Sequence, residues 1–180
     1  MRPLFLSAFL VCIVPAVRAA DVDNHWKNSK VGDWVEYKMT GTGISGKTKM
    51  TITAKDDKEV AYEIESSFTA NGIEMKGPVQ KATVDLTKDY DAIAAANQQS
   101  KNLKIETIGE GKEKLKIGEK EYDTKWTKSK ATSTFNGVAM ESEYKMWFCK
   151  DVPVSGLVRM ETTVGTFTST LELTGTGRGK

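Results

Sequence analysis

The chain of 180 residues is poor in the side chains that usually announce chemistry: it holds two cysteines, four prolines and one histidine. A single histidine excludes a His-built metal trio, and it excludes any Ser-His or Cys-His pair away from His25. Charge of one sign is scarce too. The 26 Lys+Arg and 24 Asp+Glu nearly cancel to +2, which disfavours the basic footprint of a nucleic-acid binder. Mixed charge together with 39% hydrophobic residues excludes a collagen, a disulfide-dense miniprotein and a disordered acidic tail, and it describes one globular domain.

Only one long apolar run exists, and it lies at the N-terminus. Met1-Arg2-Pro3 is a short basic start, Leu4 to Val14 is apolar apart from Ser7, and Pro15 to Ala20 ends on small residues. This pattern predicts a secretory signal peptide over residues 1–19, cleaved after Ala19, and a single β domain over 20–180 in the periplasm or outside the cell. The run is about half of the roughly 20 residues a spanning helix needs, and no later segment approaches that length, so no transmembrane segment is expected. Cleavage removes Arg2, Arg18 and Cys12, which leaves a formally neutral domain with Cys149 as its one thiol. No intrachain disulfide is then available, and Cys149 is expected to be buried at the end of an apolar strand.

What the mature part does contain is period-two alternation. Val35, Tyr37 and Met39 alternate with Glu36, Lys38 and Thr40; Met50, Ile52 and Ala54 with Thr51, Thr53 and Lys55; Val60, Tyr62 and Ile64 with Ala61, Glu63 and Glu65. Such alternation predicts antiparallel strands with one face on the core. Asn71-Gly72 and Asn136-Gly137 supply tight hairpin turns. Short strands are expected around 103–108 and 113–117, then longer ones from Tyr122, from Val138, from Leu157 and from Phe167. Between them, residues 87–99 place Tyr90, Ile93, Ala94 and Asn97 on one side, behind a Thr87 cap and first-turn acids, and predict one amphipathic helix. The fold expected is therefore mainly β: an antiparallel sheet of about ten strands, as a curved half-barrel or a sandwich, with one helix.

Three motifs invite a catalytic or metal reading and fail on context. Gly41 to Thr48 matches the phosphate-binding loop pattern, but that chemistry needs a helix starting at Lys47-Thr48, and Lys49 to Ala54 continues as a strand. Ser142-Glu143-Tyr144-Lys145 has the Ser-x-x-Lys spacing of penicillin-binding enzymes, yet on a strand that spacing puts Ser142 and Lys145 on opposite faces. Asp21 to Gly32 starts like a calcium loop but carries Trp26 where Gly is needed and Gly32 where Glu is needed. His25 reads as an exposed residue near the new N-terminus. No catalytic, cofactor or metal residue is assigned, and the chain is expected not to be an enzyme. A patch for acidic lipid head groups around Lys112 to Lys130 is weakened by interleaved acids.

Methionine is the one compositional signal. Met39, Met50, Met75, Met140, Met146 and Met160 equal the mature leucines in number, and each falls on the apolar phase of its strand. A flexible, polarisable methionine wall adapts to irregular apolar partners such as acyl chains. The plainer reading is a core that uses Met as filler. Trp34, Trp126 and Trp147 lie on the opposite phase, among Thr and charged neighbours.

The order of elements, strand after strand in hairpins with one inserted helix, resembles the Lol-type lipoprotein-carrier superfamily of the bacterial envelope. That resemblance implies a half-barrel holding acyl chains. Val31 to Tyr37 and Trp147 to Pro153 are also similar to segments of uncharacterised secreted β-proteins. The function expected is a non-enzymatic secreted or periplasmic protein that binds an apolar ligand, a lipid or lipoprotein chain, in a concavity lined by Met39, Met50, Tyr62, Phe68, Met140 and Tyr144. The alternative is an interaction module of the envelope with a filled core and no ligand.

Overall fold

The computed structural model describes residues 25–70, 72–87, 104–135 and 138–179. The expected leader, residues 21–24 of the calcium-like stretch and the Asn136-Gly137 turn lie outside the described residues.

The alternating segments form strands β1 (Trp34–Gly41), β2 (Ile44–Lys55), β3 (Glu59–Ala70), β4 (Ile73–Lys76), β5 (Gln80–Asp85), β6 (Lys104–Ile117), β7 (Lys120–Phe135), β8 (Val138–Phe148), β9 (Leu157–Val164) and β10 (Phe167–Gly177). All ten belong to one antiparallel sheet in the order β4-β3-β2-β1-β10-β9-β8-β7-β6, with β5 sharing the outer edge of β3 with β4. Pairing of β1 with β10 joins the two ends of the chain and makes the sheet continuous, so the sandwich of two separate sheets does not form. The sheet is open, but its second half curls: β6 comes back within 8 Å of β10 between Cα atoms, four strands away in the order. Antiparallel neighbours are about 4.8 Å apart, so a flat sheet would separate these strands by roughly 19 Å.

The core sits at one end of the sheet's apolar face. Val35, Tyr37, Ile52, Val60, Tyr62, Val158 and Leu173 converge there with almost no exposed surface. Two irregular segments close that end. A 3-10 turn, His25–Asn28, inserts Trp26, which packs on Tyr62 with ring centroids 4.8 Å apart. Lys55 Nζ donates to the Lys27 and Ser29 carbonyls at 2.6 and 2.7 Å, satisfying acceptors that the short turn leaves open. The second plug is the link from β8 to β9, where Val152, Val154 and Ser155 are buried. There the Tyr37 hydroxyl meets Ser155 Oγ and donates to the Leu157 carbonyl, both at 3.1 Å, and burial pushes its pKa well above that of a free tyrosine.

Several expectations need correction. The expected amphipathic helix over 87–99 does not stand among the described elements. Among the described residues no helix reaches seven residues, and the only helical element is the 3-10 turn. Thr87, expected to be its cap, donates both its amide and its hydroxyl to Asp85 Oδ1 at 2.9 and 2.6 Å, closing a turn after β5; residues 88–103 lie outside the described set. The short strands at 103–108 and 113–117 are one strand, β6, because Gly109 and Gly111 stay in the ladder beneath Trp126. Strand β5 went unanticipated, and its inward residues Ala82 and Val84 pair with Tyr62 and Val60. His25 is half-buried, not exposed: its ring stacks 6.4 Å from that of Phe148 and covers Gly156. Cys149 is free and buried as expected.

Candidate functional site

Directly paired residues of neighbouring strands share a sheet face, so register decides which side chains can form one surface. Met75 of β4 pairs with Phe68, Phe68 with Gly46, Gly46 with Met39, Met39 with Leu171, Leu171 with Met160, Met160 with Met146 and Met146 with Thr127. Four of the six methionines that follow Met1 thus stand in one row across eight strands. Exposure grades along it. Met146 and Met160 are 1% and 5% exposed, Leu171, Met39 and Phe68 are half-buried, and Met75 is 40% exposed. Gly46 supplies the gap between Met39 and Phe68, since a Cβ there would stand 2.6 Å from the Ser67 carbonyl oxygen.

The six residues predicted to line a ligand all map to this face, but at three depths. Met50 and Tyr62 belong to the closed core, paired with Ile64 and Ile52. Met39 and Phe68 lie in the half-buried row, and Tyr144 lies one row further from the plugged end, between Ser129 and Thr162. Met140 is 41% exposed at the far rim. Sequence reasoning missed Leu171, Met146 and Met160 as members of the row; their alternation was visible, but which residue opposes which is a matter of register.

Beside Tyr144 the structure shows an unusual pair. Ser129 and Thr162, directly opposite it on either side, are 1% and 4% exposed, and neither hydroxyl oxygen has a hydrogen-bond partner. The same cross-strand row runs Gly41, Ser169, Thr162, Tyr144, Ser129, Thr107 and contains no charge.

The opposite face is charged and internally neutralised. Lys145 Nζ lies over the rings of Trp126 and Trp147, at 4.6 and 4.4 Å, and 3.2 Å from Glu113 Oε1. The Trp147 indole N–H donates to the same carboxylate, and this bond first, then Lys145, holds the Glu113 pKa below the usual carboxylate range. Lys114, Lys128 and Lys130 pair with Glu121, Glu143 and Glu141, so the lysine stretch has its field cancelled locally. Ser142 and Lys145 project to opposite faces of β8, since Ser142 pairs with Ala131 and Val164, and Lys145 with Lys128 and Glu161. Residues 41–48 form the β1–β2 hairpin, with Lys47 and Thr48 inside β2. Among the described residues no group of three or more His, Cys, Asp or Glu could hold a metal, and no helix is long and apolar enough to cross a membrane.

No protein-family model matches the chain, and no curated protein matches it. Among solved structures it is similar to a "putative exported protein with YmcC-like fold" from Bacteroides fragilis, at 7% identity and a TM-score of 0.52, over 83% of this chain and 97% of that one. At this identity the likeness concerns the fold alone: the chain shares the YmcC-like fold of that exported protein, and a Lol-type relationship is not shown.

Proposed function

We propose that the protein is an exported, non-enzymatic β-protein that binds an apolar ligand, a lipid or lipid-linked chain, on the methionine row of its core face. Export is supported by the N-terminal leader pattern and by the exported neighbour that shares the fold. The observation that carries ligand binding is the graded row from Met146 through Met160, Leu171, Met39 and Phe68 to Met75. A filler core would bury its methionines evenly, whereas this row emerges from the core as a continuous half-covered apolar strip. Methionine adapts to acyl chains of varied shape. Native mass spectrometry of the protein purified from its host without detergent tests the reading. An added lipid-sized mass that dissociates on activation supports it, and a bare polypeptide mass in every preparation favours the interaction module.

A further inference from the structure

Buried hydroxyls without partners are rare in folded proteins, because each forfeits its bonds to water. Here two of them, Ser129 Oγ and Thr162 Oγ1, flank one residue on the ligand-facing side of the sheet. Each also neighbours the methionine row, since Ser129 and Thr162 stand two residues from Thr127 and Met160 along their strands. We propose that Ser129 and Thr162 form the polar subsite of this face and take the carbonyl of an ester-linked acyl chain whose hydrocarbon lies along Met160, Leu171 and Met39. The inference rests on the ligand-binding reading above and specifies its chemistry.

Charge argues for a neutral carbonyl. The row that holds the two hydroxyls is uncharged over six strands, and Lys128, Lys130, Lys145 and Arg159 belong to the alternating positions of the other face. A carboxylate or phosphate placed there would be desolvated without a counter-ion. A carbonyl oxygen needs only donors, and each hydroxyl can turn to supply one. Tyr144, half-buried, stands between them in the same row.

A matched pair of ligands tests this. The dye N-phenyl-1-naphthylamine is bound to the purified protein and displaced by 1-monopalmitoylglycerol or by its ether analogue 1-O-hexadecylglycerol, which lacks only the carbonyl. Wild-type protein is expected to prefer the ester by about five-fold per hydroxyl bond formed, the equivalent of about 1 kcal/mol each. The Ser129→Ala, Thr162→Val double variant is expected to fold with undiminished stability and to bind ester and ether alike. Equal binding of ester and ether by the wild type, or a preference that survives in the double variant, overturns the subsite and leaves the apolar ligand in place. Failure of dye, ester and ether alike to bind overturns the ligand reading itself. A dipalmitoylated lipopeptide run in parallel separates the two sources of an acyl ester: stronger displacement than the monoglyceride assigns a lipid-linked polypeptide, and weaker displacement a free glycerolipid.

Discussion

At the scale of single residues, the most constrained polar group is Asp33. Its carboxylate is fully buried and accepts from the Lys30 amide at 3.0 Å, the Gly179 amide at 2.7 Å and Arg178 Nη1 at 3.2 Å. One side chain thereby ties the entry to β1 to the end of the chain, and nothing in the spacing of residues 33 and 178 announces it. Asp33→Ala is expected to lower unfolding stability in urea by about 1–3 kcal/mol, because it strands buried amides. Arg178→Ala is expected to cost less than Asp33→Ala, since the Arg178 side chain is 54% exposed and the Lys30 and Gly179 amides still hold the carboxylate. Glu113 sets a pH dependence. Its folded pKa lies below the unfolded value, so its contribution is in place above the usual carboxylate range and is lost as pH falls through the depressed value. The Glu113→Gln variant should therefore show a shallower acid limb in a urea-midpoint against pH profile than the wild type, and an identical limb would remove this role.

At the scale of elements, what was legible was periodicity, and what was not was anything decided between strands. Alternation identified β1, β2, β3, β7, β8, β9 and β10 because each buries one face. The two short strands expected around 103–108 and 113–117 are one because Trp126 from β7 covers the glycines between them, which sequence cannot show; a Cβ on Gly111 would stand 2.9 Å from its ring. Asp85 Oδ1 accepts from both the amide and the hydroxyl of Thr87, a side-chain turn that the spacing of the two residues does not announce. The link between β8 and β9 shows the same limit. Pro153 and Gly156 marked a break, but not that Val154 would be fully buried at φ 65, a left-handed conformation disfavoured for a β-branched residue. Ser29 Oγ donates to its carbonyl at 3.3 Å and helps fix it. Gly46→Ala is the element-scale test. Its methyl would press on the backbone of β3, so a loss of about 1–3 kcal/mol is expected in denaturant melts, together with weaker displacement of an apolar dye as Met39 and Phe68 are forced apart.

For the whole molecule, the decisive feature is that the first and last strands pair, so one sheet carries one apolar face from end to end. The plugs at Trp26 and Val154 seal one end of it and leave the row from Met160 to Met75 to emerge at the other. The six candidate residues were legible as a face and not as a site: alternation placed Met39, Met50, Tyr62, Phe68, Met140 and Tyr144 on one side, while register and curl set their depths. Methyl-labelled methionine NMR tests the account most directly, because the methionines after Met1 sample that face from sealed core to open rim. On titration with 1-monopalmitoylglycerol, the Met39 and Met75 signals are expected to shift together and saturate, while Met50, 6% exposed within the sealed core, stays in place. Signals of Met39 and Met75 that remain fixed at saturating ligand would contradict it.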